Sequence, residues 1–107
     1  MADDRERRRL QLQQEFKTLL GSSNVYFQPP KTISLKYPCV IYNREAPHIL
    51  RANNKPYKIT QRYQVTYITK DPADPMINRI IEAFEMIAPT RFFVSDNLYH
   101  NNYTLYY

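Results

Sequence analysis

Glycine occurs once in 107 residues and cysteine once. A single glycine, Gly21, excludes the glycine-rich loops that cradle nucleotide phosphates. A single cysteine, Cys39, excludes an internal disulfide and a cysteine metal cluster, and it suits a reducing compartment. Beside Val40 and Ile41 it reads as a small buried hydrophobe. His48 and His100 have no partner at metal-ligand spacing. No run of about 18 apolar residues is present, so no membrane span is expected, and the charged N-terminus does not read as a signal peptide. No Ser-His-Asp or Cys-His set stands at a recognised local spacing. Cys39 would have to meet His48 or His100 in space, and nothing visible activates its thiol. The carboxylates fall at helix caps, helix faces and a turn, so structural roles account for them and no paired acid–base site is expected.

What is abundant is tyrosine, with Tyr 10, followed by Pro 8. Tyrosine joins an apolar body to a polar tip and is enriched where surfaces meet. The length implies one domain, 1–107, which buries roughly two-thirds of its unfolded surface in a modest core. The net charge of +5 and a pI near 9.4 leave two readings open: a solvated basic face, or an acidic partner, protein or nucleic acid.

The chain is organised around Tyr57–Lys70, YKITQRYQVTYITK. Tyr57, Ile59, Tyr63, Val65 and Tyr67 alternate with polar residues, which predicts a strand with one apolar face. Ahead of it, Leu12, Phe16, Leu19 and Leu20 share a helical face, predicting a helix over 4–20 with Asp3 or Asp4 as cap and Gly21 at its C-terminal end. Arg5, Arg7, Arg8 and Arg9 lie on a half with almost no apolar face. That half is expected to project, either as a solvated helix end or as a basic arm. Strands are predicted at 24–28 and 37–42. Residues 48–52 pair with the long strand as a hairpin about Asn53-Asn54, or else 43–56 is one irregular loop. Asp74 and Pro75 open a helix over 75–86, with Ile77, Ile80, Ile81 and Phe84 inward and Pro89 ending it. Strands at 91–94 and 102–107 close the chain around a turn at 95–97.

This order predicts an α+β fold with a mostly antiparallel sheet and two helices packed on one face. Fourteen strand residues would span roughly 46 Å at about 3.3 Å each, whereas a domain of this size has a radius of gyration near about 13 Å. The Asn53–Lys58 end is therefore expected to reach outside the subunit. Candidate inter-subunit or inter-ring contacts are Arg7, Arg8, Asn53, Asn54, Lys55, Tyr57, Lys58 and Arg62. One basic-plus-aromatic set, Lys55, Tyr57, Lys58, Arg62, Tyr63, Tyr67 and Lys70, could face nucleic acid. Strand alternation puts its tyrosines and most of its cations on opposite faces, which favours packing instead.

The ordered set NVYFQPP (Asn24–Pro30), KYPCVIY (Lys36–Tyr42), ANNKPY (Ala52–Tyr57), RYQVTYITKDP (Arg62–Pro72), RFFVSDNL (Arg91–Leu98) and TLYY (Thr104–Tyr107) resembles the small neck or tail-completion proteins of long-tailed bacteriophages. The element order is similar to that of tail terminators. The resemblance implies an α+β subunit of a hexameric ring that caps the finished tail tube, stops its polymerisation and meets the head connector. It implies as partners further copies of the chain, the tail tube protein and the head–tail connector or stopper, with no membrane and with DNA only as cargo passing through the lumen. It implies residence in the virion neck, and in the host cytoplasm during assembly. The family has no catalytic residues, so none carries over, and no cofactor or metal is expected. The alternatives are a head-side stopper or adaptor ring and a small basic nucleic-acid-binding protein.

Overall fold

The computed structural model describes residues 4–107, apart from the side chains of residues 56 and 57. The suggested cap Asp3 and the side chain of Tyr57 thus lie outside the described residues. The elements run α1 (Asp4–Leu20), β1 (Val25–Phe27), β2 (Cys39–Ala52), β3 (Lys55–Thr69), α2 (Met76–Ala83), β4 (Ile87–Ser95) and β5 (Leu98–Tyr106). The five strands form one sheet in the order β1-β2-β3-β5-β4. β1 pairs with β2 in parallel and the other pairs are antiparallel. This is the expected α+β fold.

Register explains the layers. Val40 lies opposite Tyr67, Tyr42 opposite Val65, and Tyr103 and Leu105 opposite Val65 and Tyr63. Strand alternation sends all of these to one face. There they meet Leu12 and Phe16 of α1 and Ile80 of α2 in a single core, so both helices cover the same side of the sheet. The tyrosine count is partly a core property. Tyr42, Tyr63, Tyr67 and Tyr103 are all buried, and a buried phenol needs a hydrogen-bond partner. Tyr42 donates to Gln13 Oε1, Tyr103 donates to the Ile77 carbonyl at 2.8 Å, and Tyr63 accepts from Arg44 at 3.5 Å. Burial, and then the nearby Asp74 charge, push the Tyr103 phenol up to about 12.

Three boundaries differ from the sequence reading. Residues 39–52 are one strand, and 43–47 are neither a break nor a loop. Pro47 sits in a register shift between Glu45 and His48, while Pro89 borders a second shift in β4. Proline has no N–H to give to a ladder, and a bulge removes the need for one. The second correction is α2, which stops at Ala83. Phe84 is already extended at φ −126, ψ 147. Ile87 pairs with Leu105, so sheet pairing, and not Pro89, ends the helix. The last strands are also longer than expected, because a turn at Asp96-Asn97 with φ of 54 and 62 joins β4 and β5 directly.

Asp74 ties the long strand to α2. Its carboxylate accepts from Tyr67 Oη at 2.6 Å, Thr69 Oγ1 at 2.8 Å and the Met76 N–H at 2.9 Å. Burial works to raise its pKa, but the bonds from Tyr67, Met76 and Thr69 outweigh it and hold the carboxyl below its ordinary value. A depressed folded pKa stabilises above the unfolded pKa and is lost as pH falls through the folded one. Asp74→Ala is expected to cost about 2 kcal/mol near neutral pH, from a lost cap and an unsatisfied Tyr67 hydroxyl. Urea titrations of both proteins should show the gap narrowing below about pH 4, the unfolded carboxylate range. A gap independent of pH would assign the loss to packing alone.

Candidate assembly surface

β1 supports β2 only as far as Tyr42, and β5 supports β3 only from Arg62 onward. Beyond those points β2 and β3 pair with each other, save for the Tyr107 N–H that donates to the Gln61 carbonyl at 3.1 Å, so residues 46–60 form a two-stranded arm. The turn at its tip is Asn53-Asn54, with φ of 55 and 62, the left-handed geometry that asparagine tolerates and a two-residue hairpin needs. The arm lengthens the molecule to 50 × 28 × 24 Å and its radius of gyration to 15.0 Å, above the roughly 13 Å of a compact chain of this length.

The apolar alternation of β3 runs past the end of the core. Tyr63, Val65 and Tyr67 are buried, but Ile59 is 55% exposed, opposite an exposed Ile49 in the same register. The sequence reading expects the Asn53–Lys58 end of this strand to leave the core, and the buried face ends at Tyr63. No acidic residue occurs between Glu45 and Asp71, so the arm carries Arg51, Lys55 and Lys58 without a carboxylate among them. Asn53, Asn54, Lys55 and Lys58 are exposed, whereas Arg62 stands at the arm's base, 3.6 Å from Glu45.

The expected projecting helix end is also corrected. The first turns of α1 lie against the sheet. Arg9 keeps 14% of its side-chain exposure, bonds Glu6 at 2.7 Å, donates to Tyr42 Oη and covers the Phe27 ring at 4.4 Å. Arg44 reaches the other Glu6 oxygen at 3.7 Å. The bond from Arg9, aided by Arg44, holds the Glu6 carboxyl below its ordinary value. Arg8 lies 4.6 Å over the Tyr107 ring and donates to the Tyr107 main-chain oxygen at 3.3 Å. Among the predicted contacts, Arg8 is therefore committed within the subunit, while Arg7 pairs with Asp4 at 2.7 Å and is 66% exposed. Rings can anchor guanidinium groups, and the run of arginines has no apolar neighbours to announce it.

Between this helix end, the base of the arm and residues 83–86 lies a groove of about 810 Å³, whose apolar lining includes Ile59, Phe84, Met86 and Tyr107. Near it the charge reverses. Residues 71–85 hold Asp71, Asp74, Glu82 and Glu85 against Arg79 alone. Glu82 and Glu85 are exposed. One molecule thus carries a basic apolar projection and, on its helical side, an acidic surface beside an apolar groove.

The candidate thiol stays inert by burial, which pushes Cys39 up to about 11. Among the described residues, no three His, Cys, Asp or Glu side chains group as a metal site would need, and no helix is long and apolar enough to cross a membrane. No family model, curated protein or solved structure matches the chain.

Proposed function

We propose that this protein is the subunit of a homo-oligomeric ring at the head-proximal end of a long-tailed phage tail, where it ends tube polymerisation and joins the tail to the head connector. The observation that carries the assembly reading is the arm, a hairpin that exposes Ile49 and Ile59 side by side beyond its own core, with Leu50 exposed on its other face. Neighbouring exposed apolar side chains favour burial against a partner. A basic arm tip and the exposed Glu82 and Glu85 of the helical side, on different parts of one surface, suit a head-to-tail contact, and head-to-tail contacts generate rings where the rotation closes. The resemblance of the six ordered segments to tail-completion proteins supplies the place of that ring, and hexameric symmetry comes with it.

The test has two arms. Native mass measurement on the purified chain should give a closed oligomer of six copies. A monomer at every concentration would end the ring reading. Binding is then compared on isolated phage tails and on DNA-filled heads. Preferential capture by tails supports the terminator, and capture by heads alone would move the ring to the stopper position.

A further inference from the structure

The sheet face away from the helices holds a second constellation, which strand alternation in the long strand alone does not reveal. Register places Arg62 of β3 opposite Tyr106, and Arg91 of β4 opposite Asn102. Both arginines fall on the side opposite the buried Tyr63 and Tyr103. The centre between them is amide and hydroxyl, with Thr66 Oγ1 donating to Asn102 Oδ1 at 2.9 Å. Among the described residues the paired strands place one carboxylate on this face, Glu45, which lies 3.6 Å from Arg62. Arg91 is propped over the Phe93 ring at 4.9 Å, and that ring stacks on His100 with centroids 4.5 Å apart and planes 12° apart.

We propose that this helix-free face contacts the phosphate backbone of double-stranded DNA through Arg62 and Arg91. Two arginines stand against one carboxylate, so the face keeps a net positive charge for a polyanion, which would compete with Glu45 for Arg62. Phe93 is occupied in supporting Arg91, so it is not a free platform for a base, which favours backbone contact over the stacking that single strands use. Two strand spacings of about 4.8 Å and four residues at about 3.3 Å set the arginines roughly 16 Å apart, too far to share one phosphate. The inference rests on the ring reading for the source of the DNA and deepens it, since it names the wall of the channel that the cargo meets.

The experiment is fluorescence anisotropy of a short labelled duplex with the full chain over a salt series, with particle mass read on the same samples. Binding should be weak and strongly salt-dependent. Arg62→Gln with Arg91→Gln should flatten the slope of log K against log salt by about 1.8, two phosphates at about 0.9 each. Lys31→Gln with Lys36→Gln removes equal charge from the exposed loop ahead of β2 and should leave the slope unchanged, while Glu45→Gln should tighten binding. Equal losses from both pairs, no duplex binding at low salt, or tighter single-strand binding that Phe93→Ala abolishes would each overturn the proposal. Lost DNA binding with ring mass intact sinks this inference alone. A monomer that still binds through Arg62 and Arg91 sinks the ring alone.

Discussion

Phe16→Ala is expected to lower the free energy of unfolding by about 3–5 kcal/mol, the range for truncating a fully buried phenylalanine. The ring has no exposed surface. It packs 5.4 Å from Tyr42 and 5.3 Å from Phe84, measured between centroids, so it links α1 both to the sheet and to the end of α2. Truncation leaves a cavity that these rings cannot collapse to fill, because Tyr42 is held by Gln13 and Arg9. Against a total of about 5–15 kcal/mol for a small domain, the loss is large. A shifted urea midpoint with an unchanged slope is the readout. Leu10→Ala on the same helix, 56% exposed, should stay within about 0.5 kcal/mol. Similar losses at both positions would mean that α1 does not dock by the Phe16 face. Phe84→Ala should cost less than Phe16→Ala, since Phe84 is only half-buried.

The second large effect is on assembly. Lys55→Glu combined with Lys58→Glu, and separately Ile59→Asp, should raise the dissociation constant of the proposed ring by about 100-fold or more, equivalent to about 2.7 kcal/mol, with the melting temperature of the monomer unchanged. The reason is that these side chains contribute little inside the subunit. Lys55, Lys58 and Ile59 are exposed, and the supporting strand β5 reaches only to Arg62. In the proposed contact, reversing two charges on the arm turns attraction to an acidic neighbour into repulsion. Analytical ultracentrifugation gives the association constant, and the ability of variant protein to join tails to heads gives the function. Amide exchange gives an independent view: residues 53–62 should exchange faster than 63–69 in the monomer and become protected in the ring. Equal strong protection of 53–62 in a stable monomer, or full joining by the double variant, would remove the arm from the interface.

Local chemistry determined several features of this protein by itself. The apolar spacing of Leu12 and Phe16 with Gly21 beyond them sets α1, the alternation through Tyr63, Val65 and Tyr67 sets the central strand, and Asn53-Asn54 sets the hairpin at its end. Each depends on residues close in the chain, so composition and periodicity are enough to read it. The reach of the arm also follows from length alone, since a strand longer than its domain must leave it. Tertiary structure decided the rest. Pro47 could have ended a strand and instead became a bulge, because β3 was there to pair on both sides of it. α2 stopped at Ala83 because β5 offered Ile87 a ladder. The first turns of α1 lie down because Phe27 and Tyr107, distant in sequence, present rings to Arg9 and Arg8. Arg91 shares a face with Arg62 only through the register of β4 on β5 and of β5 on β3. In every such case the partner lies a dozen residues or more away, and a cation's choice between water and a ring, or a proline's between a break and a bulge, is made by the partner that the fold brings to it.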